Sequence, residues 1–256
     1  MKIKLLGAHN RESRTERYMC LLIDGVLALD AGGLTSSLSF KAQQKIKGIL
    51  LTHQHYDHVR DVPAFAMNCY FWKSKANIYC GKAVYEVIAA HLMNDILYPN
   101  FMTRPVDDPT VRFTILEPLK PVQVEGYTIL PVPLKHSVPT TGFQVTSSDG
   151  KAVFYTGDTG PDLKDAWQHI SPQVLIIEVT APDHFADFAR RVGHLTPGLL
   201  GQELLDFRSV KGYLPHVVAV HNNPGSVGVL EPELMAVARE LECDILLARE
   251  GMQISL

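Results

Sequence analysis

The stretch Thr52-His53-Gln54-His55-Tyr56-Asp57-His58 places four metal-binding side chains within six positions. It follows Gly48-Ile49-Leu50-Leu51, an apolar run that reads as a short buried strand. His53 and His55, two apart, can share one direction as that strand ends. Asp57 and His58 come after the turn and can serve a second centre. Imidazole suits zinc, iron and similar first-row ions, and the carboxylate adds negative charge. A closed structural zinc site would need only four ligands, usually including cysteines. This cluster has no cysteine and begins more than one site. A polar loop merely rich in histidine is the bland alternative.

Three later residues stand where a strand gives way to a loop. His136 opens the turn Ser137-Val138-Pro139 after the strand reaching Leu134. Asp158 follows the apolar strand 152–155, with Gly157 and Gly160 allowing a sharp backbone turn. His221 ends the run from His216 to Val220. Singly, each could be a capping histidine, a turn aspartate or a satisfied core histidine. Their shared position after strands strengthens the ligand reading.

The chain has 256 residues and a formal charge of -3. That length fits one α/β domain covering 1–256 with a sizeable core. The acidic balance gives no basic footprint for a nucleic-acid partner. Cys20, Cys69, Cys80 and Cys243 lack paired spacing and read as reduced, packed thiols. Neither a signal peptide nor an apolar membrane span is seen, so a cytoplasmic location without membrane attachment is expected.

Strands are predicted at 2–6, 18–23, 26–30, 48–52, 77–80, 112–116, 121–132, 142–147, 151–156, 173–178, 216–220 and 245–247. Helices are predicted at 34–45, 61–71, 82–96, 197–207 and 231–241, with a long loop at 98–110. Two similar halves of this kind suggest a layered helix-sheet-sheet-helix sandwich.

The order His53-x-His55-x-Asp57-His58, His136, Asp158, His221 resembles the metallo-β-lactamase superfamily. The resemblance implies an αβ/βα four-layer sandwich with two divalent metal ions at one edge of the sheets. One ion would take His53, His55 and His136, the other Asp57, His58 and His221, and Asp158 would bridge them. Zinc is the default, and manganese or iron fits the same donors.

Glu178, ending the strand Gln173–Ile177, and His194, in Gly193-His194-Leu195-Thr196-Pro197, look like the accessory pair of the phosphodiesterase branches. The segments Leu27–Gly32, His91–Phe101 and Tyr155–Asp162 are most similar to class II cyclic-nucleotide phosphodiesterases. Tyr56, Tyr98 and Asn222-Asn223-Pro224-Gly225 depart from that pattern.

The implied activity is hydrolysis of 3',5'-cyclic nucleotides (cAMP or cGMP) to 5'-monophosphates by a hydroxide held between two metals. Asp57, His194 and Glu178 would carry the catalysis, with His194 protonating the leaving oxygen. The alternative is that His194 is an N-cap-like residue before the helix at Pro197. His91, Asn94, Tyr98 and Phe101 would line the substrate pocket, although Tyr98 and Phe101 could equally be core aromatics. The partner expected is a small phosphodiester, with a homodimer by analogy. Competing readings are a tRNA 3'-end endonuclease, disfavoured by the missing basic arm, another hydrolase of this fold, and a non-catalytic binding module.

Overall fold

The pleat of each central strand points alternate residues into two different apolar layers, so these strands read as continuous hydrophobic runs rather than alternating ones. In the computed structural model, which describes residues 1–256, Leu21, Leu27, Leu29 and Leu50 enter one layer, while Leu22, Ala28, Ile49 and Leu51 enter another. The first layer is shared with Val153, Tyr155, Val174, Ile176, Val218 and Val220, whose neighbours Phe154, Leu175, Ile177 and Ala219 enter a third. The shared layer therefore lies between two sheets.

The first sheet runs β14 (Gln253–Ser255), β1 (Lys2–Gly7), β2 (Cys20–Ile23), β3 (Leu27–Leu29), β4 (Gly48–Leu51), β5 (Ala76–Cys80) and β6 (Val111–Ile115). The second runs β13 (Ile245–Leu247), β12 (His216–Val220), β11 (Val174–Glu178), β10 (Ala152–Tyr155), β9 (Thr140–Thr146), β8 (Tyr127–Leu134) and β7 (Val122–Val124). β3 to β6 are mutually parallel, as are β10 to β13, and the remaining pairs are antiparallel. The helix Val62–Trp72 packs Phe65, Ala66 and Cys69 on the outer face of the first sheet. Helices Lys164–His169, Pro197–Lys211 and Val227–Leu241 cover the outer face of the second. The four layers match the expected sandwich.

Several boundaries differ from expectation. The strand 121–132 is a hairpin, because Glu125 and Gly126 both take positive φ (51° and 87°) and turn the chain between β7 and β8. The helix 34–45 breaks into Leu34–Ser37 and Phe40–Gln43, where Ser39 is extended and its hydroxyl caps the second piece. The helix 82–96 ends early: an α-helix Lys82–Val87 passes into a π-turn Ile88–Leu92. The segment from Met93 to Thr110 holds no strand or helix, as the predicted loop requires. All four cysteines are free, three of them buried. No helix is long and apolar enough to cross a membrane.

Candidate metal centre

Parallel strands deliver their C-terminal ends to one edge of a sheet, and both sheets present such an edge here. β3 leads to Asp30, β4 leads through Thr52 to His53, β10 leads to Asp158, β11 ends on Glu178, and β12 leads to His221. Thr52 O accepts from Thr141 N at 3.0 Å, tying the two sheets together beside the cluster. Gly157 lets the chain turn into Asp158 with φ +62°, and a Cβ there would meet Thr52 Oγ1 at 2.6 Å.

The predicted donors converge as two sets. His53, His55, His136 and Asp158 form one, and Asp57, His58 and His221 the other, with the donor atoms of each set within 4.8 Å of one another. In the first, His55 Nδ1 lies 3.0 Å from His53 Nε2 and 3.2 Å from His136 Nε2. Asp158 is divided between the sets. Its Oδ2 faces His53 Nε2 at 3.6 Å and His136 Nε2 at 3.8 Å. Its Oδ1 faces His58 Nε2 at 3.1 Å and His221 Nε2 at 3.4 Å. Asp57 Oδ2 closes the second set, 3.1 Å from His221 Nε2 and 3.7 Å from His58 Nε2.

The outer hydrogen bonds fix the tautomers. His136 Nδ1 donates to Gly193 O at 2.7 Å, and a carbonyl can only accept. His58 Nδ1 donates to Asp30 Oδ2 at 2.7 Å. Thr180 Oγ1 gives its proton to Glu178 Oε2 at 2.8 Å, so it accepts from His221 Nδ1 at 2.8 Å. In each neutral ring the lone pair is therefore on Nε2 and turned inward, the arrangement that outer-shell partners impose on metal-binding histidines. Lone pairs aimed at two carboxylates repel unless positive charge lies among them. His58 Nε2 and Asp158 Oδ1 are buried without any hydrogen-bond partner. The nitrogen-and-oxygen donor set and these orphaned atoms fit two divalent cations.

Burial and neighbouring charge make the same demand for positive charge. Burial opposes protonation of His58, but Asp158 and Asp30 outweigh it and hold its pKa well above the usual imidazole range. Burial also opposes ionisation of Asp158, yet His221 and His58 keep its carboxyl well below the usual carboxylate range. Burial lowers the pKa of His53, His55 and His136, favouring their neutral, ligand-ready form.

Beside the second set stands His194, whose side chain is 19 % exposed. Its ring stacks on His221 with centroids 5.6 Å apart and planes 18° apart. His194, Asp158 and His221 also have donor atoms within 4.8 Å of one another, so His194 lies nearer the cluster than a remote accessory group would. Its Nδ1 donates to Glu178 Oε1 at 2.6 Å, leaving Nε2 free of that carboxylate. Burial works against its proton, but Glu178 prevails and the pKa rises to about 9. Glu178 is fully buried and accepts from His194, Thr180, Thr159 N and Leu195 N. Both oxygens of this carboxylate are thus engaged, and they hold His194 and Thr180 in place.

The four pocket candidates behave differently. Phe101 is 2 % exposed and packs in the core beneath the first sheet, so it offers no open face for stacking. Asn94 spends its amide on Ala90 O, Ile96 N and Leu97 N and so shapes its own loop. Both depart from the pocket expectation for that reason. Tyr98 is half-buried against the same core and His91 is exposed.

Sequence reasoning did not single out Asp30, Thr52, Thr180 or the Gly193 carbonyl. Asp30 is wholly buried and binds Thr52 N, Thr52 Oγ1, His58 and the Tyr155 hydroxyl. Its visible signals were a carboxylate closing an apolar strand just before Ala31-Gly32 and its place in the family-like segment Leu27–Gly32.

A family model described as a β-lactamase superfamily domain matches residues 21–220. The chain belongs to the metallo-β-lactamase superfamily. It is 28% identical over 196 residues to a 3',5'-cyclic-nucleotide phosphodiesterase of Aliivibrio fischeri, covering 69% of this chain and 58% of that protein. A probable 3',5'-cyclic-nucleotide phosphodiesterase of Yersinia pestis is 28% identical over 189 residues, covering 66% of this chain and 53% of its own. The chain thus spans a little over half the length of these curated relatives. The solved structure of unliganded yeast PDE1 superposes with a TM-score of 0.85 at 16% identity, covering 100% of this chain and 99% of that one. At that identity the likeness establishes the fold.

Proposed function

We propose that this chain is a two-metal phosphodiesterase that hydrolyses 3',5'-cyclic nucleotides to 5'-monophosphates. The observation that carries the reading is the Glu178–His194 pair set against the two donor sets. A hydrolase of carboxylic esters has less need of an imidazole held protonated near the second set. The likeness to the two bacterial relatives supports the substrate class.

His53, His55 and His136 would hold one ion, Asp57, His58 and His221 the other, and Asp158 both. When bound, the ions supply Lewis-acid stabilisation of the phosphoryl oxygens and a water nucleophile at neutral pH. Zinc is the expected ion; manganese or iron meets the same donors. The chain's own residues do the rest. As the bond between phosphorus and the 3' oxygen breaks, His194 gives that oxygen the proton on Nε2. Glu178 keeps Nδ1 hydrogen-bonded and favours the charged imidazole. General acid catalysis of this kind is worth about 10²–10⁴-fold. Asp57 and Asp158 offset cationic charge at the site, and Asp30 holds His58 in its ligand tautomer.

The test is a turnover panel on metal-loaded protein: cAMP, cGMP, 2',3'-cyclic nucleotides, bis-p-nitrophenyl phosphate and a tRNA precursor. Turnover of cAMP or cGMP above the generic ester is expected. Hydrolysis of the generic ester alone would remove the cyclic-nucleotide claim and leave a phosphodiesterase. Cleavage of the tRNA precursor alone would favour the endonuclease reading.

A further inference from the structure

A cleft of about 370 Å³ opens next to the cluster, lined by Lys135, His136, Asp162, Arg190, Arg191 and Gly193 among others. Three chain segments meet in it: the loop after β8, the loop after β10 and the end of the helix Ala186–Val192. They are sewn together tightly. Gly160 N donates to Lys135 O at 2.6 Å, and His136 Nδ1 donates to Gly193 O. A Cβ on Gly160 would meet Gly193 Cα at 3.1 Å, and one on Gly193 would meet His136 Cα at 3.0 Å. The floor is therefore rigid and shares His136 with the first donor set.

The charge of the cleft is lopsided. Lys135 is balanced by Asp162 at 3.3 Å. Arg190 and Arg191 have no carboxylate partner, and Arg191 lies over the Phe188 ring at 5.7 Å. Two unpaired guanidiniums in one concavity, on a chain of net charge -3, form a local reversal of sign. Guanidinium forks bind oxyanions bidentately, phosphate and carboxylate alike, through two of their oxygens. The volume falls in the range of small-ligand pockets.

We propose that this cleft is a phosphate subsite beside the metal donors, sharing only His136 with them, that takes the terminal phosphate monoester of a nucleotide. It deepens the phosphodiesterase reading, on which the nucleotide part rests. Two sources share this chemistry. One is the 5'-phosphate of a longer, linear substrate; the other is a free 5'-mononucleotide, the product class of the proposed reaction.

The experiment compares metal-loaded wild type with the double variant Arg190→Gln/Arg191→Gln, both checked for metal content and circular dichroism. Equilibrium dialysis with labelled 5'-AMP should show the variant binding at least about tenfold more weakly, the loss expected for one charge-assisted contact. Turnover of bis-p-nitrophenyl phosphate should be unchanged. A wild-type preference for pApA over ApA that the variant loses identifies the substrate phosphate. Equal use of the two dinucleotides, with 5'-AMP inhibition that the variant relieves, identifies the free mononucleotide. Equal 5'-AMP binding by both proteins overturns the proposal. Because binding is read without turnover, a chain inactive on cAMP would refute the cyclic-nucleotide reading and leave this result standing.

Discussion

Replacing Asp30 by Asn probes the outer support of the cluster with almost no change of shape. Oδ2 accepts from His58 Nδ1 at 2.7 Å, Tyr155 OH at 2.8 Å and Thr52 Oγ1 at 2.9 Å, and Oδ1 accepts from Thr52 N at 2.8 Å. An amide has one oxygen. Whichever way it sits, its NH₂ meets a donor, either Thr52 N–H or His58 Nδ1–H. A buried donor without a partner costs about 1–3 kcal/mol. Metal-free D30N should lose that much unfolding free energy in a urea titration. Where the NH₂ faces His58, the ring escapes the clash by carrying its proton on Nε2, the atom that faces the second donor set. Loss of such an outer-shell partner typically weakens metal affinity about 10–100-fold. A chelator-competition titration should therefore show one ion of two bound more weakly by that factor. A D30N protein with wild-type unfolding midpoint and two ions at wild-type affinity would contradict this role for Asp30.

Three other outcomes are expected. His194→Ala should lower cyclic-nucleotide turnover by about 10²–10⁴-fold while metal content, read by elemental analysis, stays near wild type; equal loss of both would make His194 a ligand. The rate constant for turnover should fall as pH rises through about 9, where His194 loses the proton that Glu178 holds against burial. The sign follows from a raised folded pKa: the pair's contribution to folding is complete below the ordinary value of 6.5 and lost as pH passes about 9, and Glu178→Gln should move the alkaline limb of a pH–rate profile downward. Gly157→Ala should cost about 2 kcal/mol or more in thermal unfolding, since its φ is +62° and the new methyl would press on Thr52, which also binds Asp30.

Much of the architecture was legible because the inner strands are buried on both faces and so appear as unbroken apolar runs. What escaped were elements with weak patterns. β14 is a three-residue, partly exposed strand, and the helix Tyr56–Val59 is built from the same residues that read as a ligand loop. The helix Lys164–His169 has only two buried residues, Ala166 and Trp167, to mark a face. Among site residues, the donors were visible because His and Asp recur after strands. Asp30 was not, because its role appears only when β3 lies beside β4 and brings it to His58, 28 positions later. Thr180 was hidden for the same reason: a hydroxyl that links Glu178 to His221 has no spacing signature of its own.

A two-metal centre requires two ions per chain, with Asp158 serving both. Metal content measured by elemental analysis on wild type and Asp158→Asn, after loading and removal of free ion, decides it. Two ions per chain in wild type, with at least one lost in the variant, is the expected result. One ion per chain in wild type, or two in both proteins at the same affinity, would contradict the two-metal centre.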